Sequence, residues 1–252
     1  MSLVLYKALA GLLIFITSLV SVIYPLRVHT HPTHHRLLEM GDALASGIFL
    51  GAALFHMLPE ATMAFTSALG EIHYPLAELF CAAGFLLLLL FERISNRSNA
   101  HDGIALPYVI ALIIIIHSLI EGAALGVNTI LETASIIFLA IIVHKGSESF
   151  ALAITLNRSK LNRYHVWSLV GVFALMTPLG IAMGTILTLF LQNQTSQLLT
   201  AGFNAFAAGT FLYMSTLHHI NHHHRVHDSE GIIEFFVFLA GLSVMALLAL
   251  WA

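Results

Sequence analysis

The sequence predicts an all-α fold, a polytopic membrane bundle of eight transmembrane helices in a 3+2+3 arrangement with an inverted repeat. Three observations carry that prediction. The mean hydropathy is +0.90 and only 9% of the residues are charged, whereas a soluble domain has about 25%. Apolar runs long enough to cross about 30 Å of hydrocarbon recur along the chain. The segments between them are short and polar, as expected where backbone polar groups within the hydrocarbon must be satisfied by helices.

The spans are placed near 3–24, 40–59, 75–92, 106–127, 133–156, 165–191, 197–218 and 231–251, so that residues 1–252 form a single transmembrane transporter domain. The first run is too long for a cleavable signal and lacks a small-residue cleavage site. Basic residues then set the orientation. Arg27 and Arg36 lie between spans 1 and 2, Arg93 and Arg97 between spans 3 and 4, Arg158, Lys160 and Arg163 after span 5, and Arg225 after span 7. The opposite loops, 60–74, 128–132 and 192–196, contain no Lys or Arg. Eight of ten basic residues therefore share one face, the exceptions being Lys7 and Lys145. Both termini are expected on the non-cytoplasmic side, with an even number of spans.

A weak internal repeat fits this topology. Ala45-Ser46-Gly47-Ile48-Phe49-Leu50 in span 2 resembles Ala207-Ala208-Gly209-Thr210-Phe211-Leu212 in span 7, and extending both places His56 opposite His218. The twelve aligned residues share five identities. Span 2 runs outward and span 7 inward, the relation of an inverted-topology transporter repeat.

Composition also excludes several chemistries. The balance of 10 Lys+Arg against 13 Asp+Glu offers nucleic acid no basic patch. The lone Cys81 rules out a disulfide framework and a four-thiolate metal site. A Gly-rich phosphate loop ending in Lys-Ser/Thr is missing, so ATP-driven pumping is not expected. Sixteen histidines in so sparsely charged a membrane chain point to metal ions or protons as cargo.

The chemistry concentrates in spans 4 and 5. Each carries His-x-x-x-Glu at its centre, His117 with Glu121 and His144 with Glu148. Residues i and i+4 share a helix face. The turn between the spans centres near residue 130, so His117 precedes it by 13 residues and His144 follows it by 14. At 1.5 Å per residue both lie about 20 Å from the turn. Two imidazoles and two carboxylates thus converge at the bilayer midplane, where ionisable groups are costly and rarely face lipid. Nitrogen and oxygen ligands of this kind suit Zn²⁺, with Fe²⁺, Cd²⁺ or Mn²⁺ as other cargo. A polar cluster that only glues helices together is the bland alternative. Lys145 lies about 11 residues from either end of its span, roughly 16 Å, too far for its ammonium to reach water. Glu121 and Glu148 are its nearby partners, so the ammonium is read as standing in for a second cation.

His56-x-x-x-Glu60, at the outer end of span 2, is read as an entrance relay, and His218, at the inner end of span 7, as an exit ligand. Weak intermediate ligands let an ion leave as well as enter. His29, His31, His34 and His35, with His222, His223, His224 and His227, place imidazole clusters in the cytoplasmic loops, suited to buffering released metal. Cys81 is read as helix packing, Gly122, Gly126, Gly180 and Gly184 as close-contact positions, and Pro178 as a kink.

These motifs carry a family resemblance. His117-Ser118-x-x-Glu121-Gly122-x-Ala124-x-Gly126 and His144-Lys145-Gly146 resemble the fourth- and fifth-helix motifs of the ZIP (Zrt/Irt-like) divalent-metal transporters. Thr177-Pro178-Leu179-Gly180-Ile181, Ala208-Gly209-Thr210-Phe211-Leu212-Tyr213 and Phe55-His56-Met57-Leu58-Pro59-Glu60 resemble its sixth, seventh and second helices. The resemblance implies eight helices in a 3+2+3 plan, both termini outside the cytosol, and uptake of Zn²⁺- or Fe²⁺-like ions toward the cytosol by motion of a bundle containing spans 4 and 5. Some relatives have an acidic residue in the sixth helix and a second-site acid or Asn beside the central histidines. Span 6 here has no Asp or Glu, and Ser118 and Lys145 occupy the second-site positions. That implies one metal ion rather than two. His218-His219 stands where an acid is common in the seventh helix.

The expected partners are divalent metal ions and the lipid bilayer, with a homodimer left open, and the expected location is a plasma or bacterial inner membrane. No prosthetic group is expected. An intramembrane zinc-dependent hydrolase is the competing function, but it would need an open ligand position, and His-Glu-x-x-His does not occur. A bis-histidine haem protein would leave Glu121 and Glu148 unexplained.

Overall fold

The computed structural model describes residues 2–27, 32–70, 74–97, 105–159, 161–187, 193–220 and 230–250. They form α1 (Leu3–Arg27), α2 (Pro32–Gly51), a π-helical segment (Ala52–Met57), α3 (Leu58–Leu69), α4 (Leu76–Arg97), α5 (Ala105–Val127), α6 (Leu131–Arg158), α7 (Arg163–Leu187), α8 (Asn193–Ile220) and α9 (Glu230–Leu248). No strand occurs among the described residues. With α2, the π segment and α3 counted as one continuous run, eight helical runs succeed one another.

Six of these runs are long and apolar enough to cross a membrane: α1, the composite run over Arg36–Leu69, Pro107–Val127 of α5, Ala134–Asn157 of α6, α7, and Gly231–Leu248 of α9. The sequence reading assigns spans to α4 and α8 as well. Both are more polar: Glu78 and Glu92-Arg93 bracket the apolar stretch of α4, and α8 opens on Asn193-Gln194-Thr195-Ser196-Gln197. The two lie against each other.

The second run departs from expectation. The helix continues to Leu69 instead of ending at Pro59. A proline inside a helix lacks the N–H for its own hydrogen bond and crowds the carbonyl four residues back. The chain absorbs this with one wide turn just before it, where the Leu58 N–H donates to the Ala53 carbonyl five residues back. Such π turns let a membrane helix pass a proline without stopping. The run ends at Gly70, whose φ of +80° suits glycine and whose N–H donates to the Thr66 carbonyl.

Packing divides the helices into two groups. In one, α5 lies along α7 and α1 lies against α6 and α7. Helix ends in this group are tied by side chains: Arg163 donates to the Leu26 carbonyl at 2.9 Å, Asn157 to the Pro25 carbonyl at 3.0 Å, and Lys7 to the Gly126 carbonyl. In the other, α2 lies along α9, and α8 lies along α4 and α3. Contacts of α2 with α6 and of α5 with α8 join the groups.

Small residues set these crossings, as they do where lipid offers helices no hydrophobic drive to associate. A Cβ added at Gly47 would lie 2.0 Å from the Phe238 carbonyl oxygen, and one at Gly241 would lie 2.4 Å from that of Leu44. The α4–α8 crossing repeats the arrangement: a Cβ added at Gly84 would lie 2.1 Å from the Phe206 oxygen, and one at Gly209 1.8 Å from that of Cys81. Between the groups, Phe49 of α2 and Phe211 of α8 face each other with ring centroids 4.9 Å apart. Both are fully buried and anchor the main apolar core.

Candidate metal centre

His117 and Glu121 lie on α5, His144 and Glu148 on α6, each pair one helical turn apart and so on one face. The equal distance of the two pairs from the α5–α6 turn lets the helices bring all four together. One ligand atom from each residue falls within 4.8 Å of the others, a spacing that could hold a single metal ion. All four side chains are buried. Across the two helices, His144 Nε2 contacts Glu121 Oε1 directly and His117 Nε2 lies 3.4 Å from Glu148 Oε1, while within each helix the His and Glu are 3.9 Å apart. His117 Nε2 and Glu148 Oε1 make no hydrogen bond despite their burial. Buried polar atoms are otherwise nearly always satisfied, so both atoms have coordination capacity directed at the same point.

The second oxygen of each carboxylate turns the other way, toward Lys145. Its Nζ donates to Glu148 Oε2 at 2.8 Å and lies 3.5 Å from Glu121 Oε2. It also donates to Ser118 Oγ at 2.7 Å, while the Ser118 hydroxyl donates to the Ile114 carbonyl. Phe173 of α7 presents its ring 4.5 Å from the same ammonium, a favourable placement of a cation over a π face. Lys145 is completely buried, and this cage of two carboxylates, a hydroxyl and an aromatic ring accounts for its charge. Each carboxylate therefore bridges two positions, one bounded by imidazoles and one filled by an ammonium.

His56 sits in the π segment rather than at a helix end, and its ring centroid is 6.4 Å from that of His144. Its Nε2 lies 3.9 Å from Glu60 Oε2, on a carboxylate with 45% of its side chain exposed. The His56–Glu60 pair thus connects the buried cluster with accessible surface. His218 lies on α8, but its side chain is outside the described residues, as are those of His34 and His35 on α2. His29, His31, His222, His223, His224 and His227 lie outside the described residues altogether.

Sequence reasoning missed three participants. Phe211 meets the His117 ring edge-on at a centroid distance of 5.0 Å, Phe173 covers Lys145, and a π segment carries His56. The aromatic residues carry no polar signal, and a lone proline announces a break more readily than a wide turn.

Among the described residues, an all-helical arrangement with six membrane-length apolar helices, enclosing a buried set of imidazoles and carboxylates able to hold a metal ion, defines a polytopic membrane protein of the metal-handling class. Comparison with known proteins makes this specific. The family model described as "ZIP Zinc transporter" matches residues 4–103 and 95–249. The chain is similar to zinc transporter ZIP1 of Takifugu rubripes, 29% identical over 86% of each chain. It is similar to zinc transporter ZIP1 of Bos taurus, 28% identical over 92% of this chain and 86% of the relative. Zinc transporter 11 of Arabidopsis thaliana is 27% identical over 99% of this chain and 86% of its own length. The chain belongs to the ZIP family and is an integral membrane protein. The family is one of metal transporters rather than enzymes, and the hydrolase alternative has no support.

Proposed function

We propose that this protein carries divalent transition-metal cations, zinc foremost, across its membrane toward the cytosol, through a central site of His117, Glu121, His144 and Glu148. The observation that carries the reading is the split use of the two carboxylates. One oxygen of each lies among the imidazoles, where two nitrogens and two oxygens make a set suited to zinc. The other lies against Lys145, whose ammonium supplies the charge a second metal would bring. Ser118 completes that second position as acceptor for the ammonium. One transported ion per site follows.

Several observations support the wider arrangement of eight spans in a 3+2+3 plan with inverted halves. The repeat pairs span 1 with span 6, 2 with 7 and 3 with 8. Under that exchange, the α5–α7 contact becomes α6–α1, and α2–α9 becomes α8–α4; all four packings are present. Gly47 and Gly209, equivalent in the repeat, both lie at backbone-on-backbone crossings. Phe49 and Phe211, also equivalent, meet each other, as equivalent residues near a two-fold axis do. The basic-residue count orients this bundle with both termini outside the cytosol. His56 and Glu60 then face the entrance, and His218 lies toward the exit. The helices carrying the central site belong to the α1/α5/α6/α7 group, and its movement against the α2/α3/α4/α8/α9 group exposes the site to each side in turn.

Uptake into proteoliposomes tests the reading. The purified protein should accumulate zinc, with Fe²⁺, Cd²⁺ and Mn²⁺ competing when added in excess at each of two pH values. His56→Ala should raise the zinc concentration for half-maximal uptake by about 10-fold while zinc stays bound at the central site. Zinc uptake no faster than in empty liposomes would refute the proposal. Loss of bound zinc in His56→Ala would refute the relay role.

A further inference from the structure

Lys7 is the basic residue that neither the orientation nor the central site accounts for. It lies one turn into α1, is 5% exposed, and donates one hydrogen bond to the Gly126 carbonyl at the end of α5. Among the described residues no carboxylate pairs with it. The carbonyl brings only the partial negative charge of a helix terminus, which leaves a full ammonium without an anion and with two further N–H donors.

A groove of about 510 Å³ runs from Lys7 along the seam between α1 and α7. Val4, Leu12 and Phe15 line it from α1, and Ala182 and Ile186 from α7. Its floor lies where the helices approach closely, with a Cβ built at Gly11 only 3.7 Å from the Pro178 Cα. From Val4 to Phe15 the groove follows α1 for about 16 Å, close to the thickness of one leaflet. The polar end at Lys7 is one turn from the helix start, near the depth of the lipid phosphates, and the apolar end reaches the bilayer centre. An apolar channel of leaflet length with a single unbalanced cation at its headgroup end matches one amphiphile: a phospholipid with net negative charge.

We propose that the α1–α7 groove binds an anionic phospholipid, with one acyl chain laid along the seam and the phosphate paired with Lys7. The phosphate provides the missing counter-charge, and the chain covers apolar surface that the helices leave open. Because Lys7 also holds the end of α5, the lipid sits against the helix that carries His117 and Glu121.

Native mass spectrometry of the purified full-length protein tests this, using phosphatidylglycerol and phosphatidylcholine of the same acyl composition, with inorganic phosphate as competitor. The wild type should retain phosphatidylglycerol in preference to phosphatidylcholine, and inorganic phosphate should not displace it. Lys7→Gln should lower phosphatidylglycerol affinity about tenfold, to the level of phosphatidylcholine, whereas Lys7→Arg should keep the preference. Ala182→Trp, which fills the groove and leaves the charge, should reduce retention of both lipids. Thermal unfolding of each variant in detergent confirms that the proteins compared are folded, and Lys7→Arg preserves the test if Lys7→Gln is not. Equal retention of the two lipids by wild type, unchanged phosphatidylglycerol binding in Lys7→Gln, or displacement by inorganic phosphate would overturn the proposal. So would Ala182→Trp if it separated a dimer into monomers without altering lipid retention, since a second copy would then fill the groove.

Discussion

Glu121→Ala reduces zinc uptake into proteoliposomes by about 100-fold or more, to near the level of empty liposomes. Glu121 is the residue on which the cluster turns. Its Oε1 contacts His144 and lies 3.9 Å from His117, and its Oε2 lies 3.5 Å from Lys145. Removing it deletes an oxygen ligand, frees the His144 imidazole from its orienting partner, and takes away one of two carboxylates balancing a buried ammonium. Glu121→Gln separates charge from shape. It keeps the volume and one acceptor oxygen, so the helices stay packed, but it presents a neutral amide where a cation needs a carboxylate. It should lose uptake nearly as completely while remaining folded, with an unfolding temperature below that of wild type because Lys145 keeps only one of its two carboxylates. Robust uptake by a folded Glu121→Gln protein would remove this residue from the transport path.

Lys145→Asp raises the zinc content of the purified protein from one ion per chain to two. The ammonium occupies a position bounded by Glu121, Glu148 and Ser118, at 2.7 to 3.5 Å from their oxygens. An aspartate there converts a cation into a ligand and leaves three carboxylates around the vacated space. Without metal, that concentration of buried negative charge is strongly unfavourable. Removing one partner of a buried ion pair typically costs about 3–5 kcal/mol, and the added acid increases the cost. The variant should therefore be markedly less stable than wild type in chelator and regain stability when zinc is supplied, because binding only to the folded state stabilises it. Lys145→Met gives the complementary case: the ammonium is lost with no ligand gained, so stability falls and stoichiometry stays at one. A Lys145→Asp protein that is folded and still binds one zinc would show that the ammonium does not stand in for a second ion.

Much of this arrangement is legible in the sequence because few physical rules are needed to read it. Hydrophobic length locates the helices, and the i, i+4 spacing puts each His on the face of its Glu. A short turn near residue 130 requires both pairs to lie at one depth, which is how four residues from two helices become one cluster. The buried lysine is legible for a similar reason, since an ammonium so far from either helix end must have partners. The continuation of the second run past Pro59 is not legible. A proline has alternative outcomes in a helix, and whether the chain stops or widens depends on packing against neighbouring helices. Phe173 is hidden for another reason: its role depends on α7 crossing α6 beside Lys145, a relation that periodicity within α7 does not contain. The repeat shows the reverse. Five identities in twelve residues say little alone, but the positions they mark include a glycine at each helix crossing and the two phenylalanines that meet between the groups.

One transported ion is proposed to sit among His117, Glu121, His144 and Glu148. Zinc K-edge X-ray absorption on the purified, zinc-loaded protein tests it most directly, with His117→Ala and His144→Ala measured alongside. The zinc should show only nitrogen and oxygen neighbours at about 2.0–2.2 Å, with outer-shell scattering from two imidazoles that falls to one in either variant. A sulfur neighbour, or an imidazole count unchanged by both substitutions, would contradict it.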